Sequence, residues 1–152
     1  MTRPLRLLAL LALLMPLPAL AQSKVEITSD TFVMNEAVRE AVFTGNVIVK
    51  HPTVNVWAPK VVATYGEGGT SDIQTFEASG GNVRLQTSDQ DATGDRAVFT
   101  PADQMLRLTG NVKVTNASGT IDATELEVNL ETNVSTFTSS GGGRVTGIFS
   151  SQ

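Results

Sequence analysis

His51 is the only imidazole in the chain, and Pro52 follows it at the end of an alternating apolar run. A general base needs an orienting partner and a proton donor within hydrogen-bond reach. With no second His and no Cys, neither a base pair nor a zinc site can be assembled around it. Ser is plentiful, but there is no Gly-x-Ser-x-Gly elbow for acyl transfer and no Gly-x-x-x-x-Gly-Lys loop for nucleotides. Carboxylates need more care, because two of them suffice for glycoside hydrolysis. Glu125 and Glu127 alternate with Leu126 and Val128, which puts them on the wet side of a strand. Asp89, Asp91 and Asp95 fall in or near a connection without the alternating Asp-Gly pattern of calcium-binding β-rolls. The sequons Asn116-Ala117-Ser118 and Asn133-Val134-Ser135 are read as chance matches. These residues predict no catalytic site, no metal and no cofactor.

The elements around them carry a stronger signal. In Leu106-Arg107-Leu108-Thr109-Gly110-Asn111-Val112-Lys113-Val114 apolar and polar residues alternate with a period of two, the mark of a half-buried strand. Its centre, Gly110-Asn111-Val112, recurs at Gly45-Asn46-Val47 and Gly81-Asn82-Val83, with an echo at Gly143-Arg144-Val145. Ahead of each lies an apolar-x-small-x-x-apolar-x-apolar segment: Ile27-Ser29-Phe32-Met34, Val56-Ala58-Val61-Ala63, Ala92-Gly94-Ala97-Phe99 and Ile121-Ala123-Leu126-Val128. The small residue precedes the repeated Gly by 16, 23, 16 and 20 residues. Four strand–turn–strand units therefore fill the chain. No amphipathic helical stripe is present, and Glu36 to Glu40 is too short and uncapped to hold a helix.

Within each leading segment the small residue and the next apolar one are three apart, so both face inward only if the strand bends or bulges between them. Phe76 and Ala78 are out of phase with Gly81, Val83 and Leu85, which predicts a one-residue bulge near Ser79-Gly80. Pro101 suits position i+1 of a type I turn. The pattern as a whole predicts an all-β fold, an open, twisted antiparallel β-jelly roll or two-sheet repeat with an apolar interior. The residues assigned to that interior are Phe32, Phe43, Val47, Val49, Phe76, Val83, Phe99, Leu106, Leu108, Val112, Val114, Leu126 and Val128. Small inward residues such as Ala41, Ala63 and Gly94 leave two outcomes open, a filled core or an apolar slot.

Arg3 and Arg6, the apolar run from Leu7 to Leu17 and the Ala19-Leu20-Ala21 ending read as a cleavable export signal over residues 1–21. A single domain over 22–152 follows. The signal holds two of the 11 basic residues and none of the 15 acidic ones, so the domain carries nine against fifteen, a net −6. That balance argues against nucleic acid, which needs clustered Lys and Arg, and against adhesion to anionic lipid surfaces. Without Cys, burial and strand pairing alone must hold an exported domain together.

The Gly-Asn-Val copies in register with the leading segments, behind an export signal, resemble the OstA-like domain family of periplasmic lipopolysaccharide transport proteins of the LptA type, from about Val25 to Val145. The resemblance implies a β-jelly roll whose inner faces hold the acyl chains of lipid A. It implies a periplasmic carrier that bridges inner-membrane and outer-membrane transport components, with head-to-tail self-association through sheet edges. Short terminal strands at Val25, Ile27, Val145 and Ile148 would supply those edges. In the fourth unit the Ser139-Ser140-Gly141-Gly142 run departs from the pattern and makes the last strand irregular. Rival readings are an inner-membrane-tethered relative resembling LptC, a structural β-repeat protein with a filled core, and a carbohydrate-active β-domain.

Overall fold

The computed structural model describes residues 24–150, so the predicted export signal lies outside the described residues. Twelve strands follow in order: β1 (Glu26–Thr28), β2 (Thr31–Asn35), β3 (Glu40–Lys50), β4 (Asn55–Tyr65), β5 (Ile73–Ser79), β6 (Val83–Gln86), β7 (Gln90–Gly94), β8 (Arg96–Thr100), β9 (Met105–Asn116), β10 (Gly119–Asn129), β11 (Val134–Thr138) and β12 (Thr146–Phe149). A single 3-10 turn at Gly69–Ser71 interrupts them. Pairing is antiparallel throughout, and all twelve belong to one sheet.

The sheet is creased. β3, β4, β9 and β10 are long strands that run through the crease, whereas β1–β2, β5–β6, β7–β8 and β11–β12 are pairs of short strands broken at it. The chain is thus an eight-step meander, and the crease divides each step between two wings. The first wing has the order β2-β3-β4-β5-β8-β9-β10-β11 and the second β1-β3-β4-β6-β7-β9-β10-β12. Side chains on the inner faces of both wings meet in one core around Val47, Val61, Val83, Leu108, Val112, Val114 and Leu126. That is the jelly-roll architecture expected from the period-two pattern.

The crease explains the repeated glycines. Between Thr44↔Lys60 and Val47↔Ala58, β3 spends Gly45 and Asn46 where β4 spends only Pro59. Between Thr109↔Glu125 and Val112↔Ala123, β9 spends Gly110 and Asn111 against Thr124. All four bulge residues have positive φ: 86° and 47° for Gly45-Asn46, 79° and 49° for Gly110-Asn111. Gly and Asn are the residues that tolerate this region, so Gly-Asn is the sequence form of a bulge that re-aims the strand into the other wing.

Two details differ from the sequence reading. At Ser79-Gly80 the interruption is wider than one residue, because β5 ends at Ser79 and β6 resumes at Val83, opposite only Ala58 and Pro59 of β4. It is the crease itself, not a bulge within one strand. Pro101 holds the first position of its turn, since the Gln104 N–H donates to the Pro101 carbonyl at 3.4 Å.

The crease also shows that the four units form two pairs. Asp30, Gly45 and Asn46 recur at Asp95, Gly110 and Asn111, each 65 residues on, and β2 maps onto β8 at the same offset. Arg39 and Gln104, with φ of 53° and 56°, extend the match into the turns. The first half (β1 to β6) and the second half (β7 to β12) are therefore a tandem duplication, joined by β5 against β8 and β6 against β7.

Candidate functional site

Strand parity gives each wing an apolar inner face, and register shows how those residues line up. One row across the first wing reads Phe32, Phe43, Val61, Ala78, Ala97, Leu108, Leu126 and Phe137. The next row outward from the crease reads Met34, Ala41, Ala63, Phe76, Phe99, Leu106 and Val128. The second wing supplies Ile27, Val49, Val56, Leu85, Ala92, Val114 and Ile121.

Near the crease these faces are packed shut. Val47, Val83, Leu108 and Val112 are each 1% exposed, and Val114 and Leu126 are also buried. Away from the crease the wings part into a cleft of about 530 Å³, within the ~300–1,000 Å³ usual for small-ligand sites. Leu106, Leu108, Leu126 and Val128 line it from the first wing, Leu130 from the turn after β10, and Leu85 and Ala92 from the second wing. The turn residues Val54, Thr87 and Asp89 form its rim. Phe76 and Phe99 lie half-buried in the same outer row as Leu106, with ring centroids 6.5 Å apart. The interior is thus both of the outcomes that the sequence left open, a filled core at the crease and an apolar slot at the mouth.

Of the predicted interior set, Leu106 and Val128 form the cleft wall, and the core residues Leu108 and Leu126 reach its floor. Val47, Val83, Val112 and Val114 are core. Phe43 and Val49 are half-buried against that core. Phe32 shares the inward row but is 52% exposed, because β2 is the last strand of its wing and has no neighbour beyond it. It stacks on Phe43 at 4.7 Å.

The outer faces are polar and ion-paired. Arg107 lies between Glu125 at 3.0 Å and Glu127 at 3.1 Å. Arg96 meets Glu77 at 2.9 Å, and Arg84 binds Asp91 through a fork while lying 5.1 Å from the Trp57 ring. The hydrogen bond from Arg96 holds the Glu77 carboxyl below its ordinary range, and the bond from Arg84 does the same for Asp91. The carboxylates that could have suggested glycoside hydrolysis are therefore engaged on the wet face. His51 Nδ1 lies 2.9 Å from the Thr53 hydroxyl in an exposed turn. Among the described residues no group of His, Cys, Asp or Glu is arranged to hold a metal ion. No helix among them is long and apolar enough to cross a membrane.

Asp30, which the sequence pattern does not single out, and Asp95, which it places only in or near a connection, shape the crease. The Asp30 N–H donates to the Gly45 carbonyl at 2.9 Å, and the Asp95 N–H to that of Gly110 at 2.9 Å. Their carboxylates accept from Asn46 Nδ2 at 3.3 Å and Asn111 Nδ2 at 3.1 Å. The signal was available as an Asp 16 residues before Asn46 and Asn111, though not before Asn82, where Gly66 stands. In the fourth unit Thr124 takes that place and meets the Ser139 hydroxyl at 3.2 Å, while a loop over 139–145 replaces the Gly-Asn bulge.

The predicted docking residues fall at the ends of the wings. β1 and β12 are the edges of the second wing and β2 and β11 those of the first. Ile27 sits in β1 and is half-buried, and Val25 precedes it, exposed. Ile148 lies in β12, 68% exposed, whereas Val145 is in the loop before that strand. The sequence reading named no docking residue in β2 or β11, which carry the exposed Phe32, Val33, Met34 and Val134.

A creased antiparallel sheet with a polar exterior, an apolar cleft and four edges left unpaired among the described residues defines an open-ended β-jelly roll. The model of the family described as "LptA/(LptD N-terminal domain) LPS transport protein" matches residues 26–134, and the chain belongs to that family. It is an LptA-type lipopolysaccharide transport protein. The fold is similar to that of LptH, the LptA-homologous periplasmic component of the lipopolysaccharide transport device of Pseudomonas aeruginosa, with a TM-score of 0.73 and 13% identity over 84% of this chain and 96% of that one. No curated protein matches the sequence.

Proposed function

We propose that this domain is a non-enzymatic periplasmic bridge that shields the acyl chains of lipid A in its cleft while the sugars and phosphates stay in water. The observation that carries the reading is the apolar cleft at the mouth of the two wings, continuous with the half-buried row Phe76, Phe99, Leu106 and Val128. Exposing an acyl chain to water costs about 0.8 kcal/mol per CH₂, so a multiply acylated lipid needs an apolar escort across an aqueous gap. The acidic outer surface need not bind the phosphates, because only the tails have to be covered.

The unpaired edges support contact with inner-membrane and outer-membrane transport components and with further copies by β-strand addition. Residues 1–21 would be removed on export, leaving a soluble domain over 22–152; intact mass of the exported protein checks this against retention as a membrane tether.

Photo-crosslinking in cells making lipopolysaccharide tests the conduit. A photoreactive residue at Leu106 or Val128 is expected to label lipopolysaccharide, and one at the outward positions Arg107 or Lys113 is not. Equal labelling from both faces, or none from the cleft, would sink the reading.

A further inference from the structure

Among the described residues a single charged side chain lines the cleft, and it is acidic. Three turns form the rim: Thr53 lies on the β3–β4 turn, Ser88, Asp89 and Gln90 on the β6–β7 turn, and Asn133 and Ser135 where the chain enters β11. Apart from Asp89 these are hydroxyls and amides, and no described Lys or Arg joins them. We propose that this rim selects the group attached to the tail. An uncharged, hydroxylated headgroup such as a sugar ring is admitted against the turns, and an anionic group is turned away from them. The proposal rests on the cleft being the tail site, as above, and adds to it which headgroup chemistry the rim accepts.

The turns are built so that these side chains are free for the task. In the β6–β7 turn Thr87 Oγ1 accepts the N–H groups of Asp89 at 3.3 Å and Gln90 at 3.1 Å, and the Thr87 N–H donates to the Gln90 carbonyl at 2.9 Å. These bonds hold the turn through its backbone and Thr87, without the side chains of Ser88, Asp89 or Gln90. Across the mouth, the Thr53 N–H donates to His51 Nδ1 at 3.2 Å. A nitrogen that accepts a hydrogen bond carries no proton, so the imidazole beside the rim adds no positive charge in this arrangement. The arginines of the sheet do not compensate either. Arg84, Arg96 and Arg107 project from its outer faces, held by Asp91, by Glu77 and by Glu125 with Glu127.

An anion brought to this rim therefore meets the Asp89 carboxylate with no cation to offset it. Two unit charges about 6 Å apart in water change an affinity by about threefold, and salt screens the effect. A hydroxylated ring meets groups of its own kind. The hydroxyls of Thr53, Ser88 and Ser135 and the amides of Gln90 and Asn133 both donate and accept, so each can exchange a water for a sugar hydroxyl. A lipid that bears both sugars and phosphates is thus oriented by the rim, with sugar hydroxyls against the turns and phosphates outward in water. The cleft, at about 530 Å³, is of a size that takes drug-sized molecules, so single-chain amphiphiles are suitable probes of this selection.

Dodecyl maltoside and dodecyl phosphate carry the same tail, one with an uncharged sugar head and one with an anionic head. Both are titrated at low salt, below the concentrations at which they form micelles. The chain has no Cys, so a polarity-sensitive fluorophore on Leu130→Cys reports entry into the cleft, and one on the outward Lys113→Cys is the control. The maltoside is expected to bind at least about threefold more tightly than the phosphate. Asp89→Lys in the same labelled protein is expected to reverse that order. Equal affinities, tighter binding of the phosphate, or an order that Asp89→Lys leaves as it was overturns the headgroup selection and leaves the tail site standing. A fluorophore at Leu130 that responds to neither probe, or no more than the one at Lys113, overturns the selection and the tail site together.

Discussion

The Asp95 carboxylate accepts a hydrogen bond from Asn111 Nδ2 at 3.1 Å across the crease, while its backbone N–H donates to Gly110. Asp30 and Asn46 form the same clasp in the other half at 3.3 Å. The clasp locks two consecutive positive-φ residues in place, and so fixes the angle at which the wings separate into core and cleft. Asp95→Ala is expected to lower stability by about 1–2 kcal/mol, the loss of a charge-assisted hydrogen bond in a part-exposed setting. Gly110→Ala should cost more, because its Cβ would come within 2.8 Å of the Asp95 Cβ at a φ of +79°. Denaturant unfolding of both variants checks the order; equal stability of wild type and Gly110→Ala would refute the clasp.

Acid is expected to loosen the join between the halves. Glu77 on β5 and Asp91 on β7 each accept from an Arg on the facing strand, and both carboxyls are lowered, from ordinary values of 4.5 and 3.8. A carboxyl whose folded pKa is depressed stabilises above the unfolded pKa, and that contribution is lost as pH falls through the folded one. Stability should be level from neutral pH down to about 5 and decline below about 4.5. In Glu77→Gln the decline should be shallower by only about 0.2–1 kcal/mol, because both partners are more than a third exposed. Chemical denaturation from pH 7 to pH 3 measures it, and an identical profile in the variant would remove the attribution.

The fold was legible because β-structure writes its faces into a period of two. The alternation from Leu106 to Val114, the Gly-Asn-Val copies and the required bend after each small residue all have direct counterparts in the strands and the crease. What alternation does not carry is lateral position. Phe32 and Leu108 lie in the same inward row, yet one is 52% exposed and the other 1%, because β2 is an edge and β9 is central. Nor does alternation give distance from the crease, which separates core valines such as Val47 from cleft residues such as Val128. The Asp partners of Gly45-Asn46 and Gly110-Asn111 were visible 16 residues before the Asn, but their purpose depends on two strands meeting in space.

That separation of core from cleft sets the expected phenotypes inside the interior. Leu108→Ala removes a buried side chain and is expected to cost about 2–5 kcal/mol in unfolding free energy. Leu108→Asp should fail to fold, because a carboxylate would be buried without a partner. Val128→Asp lies at the half-buried cleft wall, where the charge can reach water. It should keep most of the stability and lose most of the lipopolysaccharide captured in a crosslinking assay. Normal capture by a folded Val128→Asp protein would count against the cleft as the tail site.

The internal and terminal junctions have the same strands but different chemistry, and this allows one to be rebuilt in the other. The internal join carries the Arg96–Glu77 and Arg84–Asp91 ion pairs. At the terminal edges the positions corresponding to Arg96, Glu77 and Arg84 are Thr31, Thr136 and Thr146, so neither ion pair recurs there. An association between chains should therefore rest on apolar contact and strand hydrogen bonds and change little with salt, since screening acts on charges. Replacing both threonines, Thr31→Arg with Thr136→Glu, would graft the internal Arg96–Glu77 pair onto the edge. An exposed pair contributes about 0.2–1 kcal/mol, which is about 1.4- to 5-fold in affinity. The double variant should associate more tightly than wild type by that factor at low salt, and the gain should shrink at high salt. Thr136→Glu alone should show no gain, because the carboxylate would have no cation at the diagonal position, where Thr31 stands. Sedimentation equilibrium at two ionic strengths separates these cases, and a double variant no tighter than wild type at low salt would mean that the edges meet in some other register.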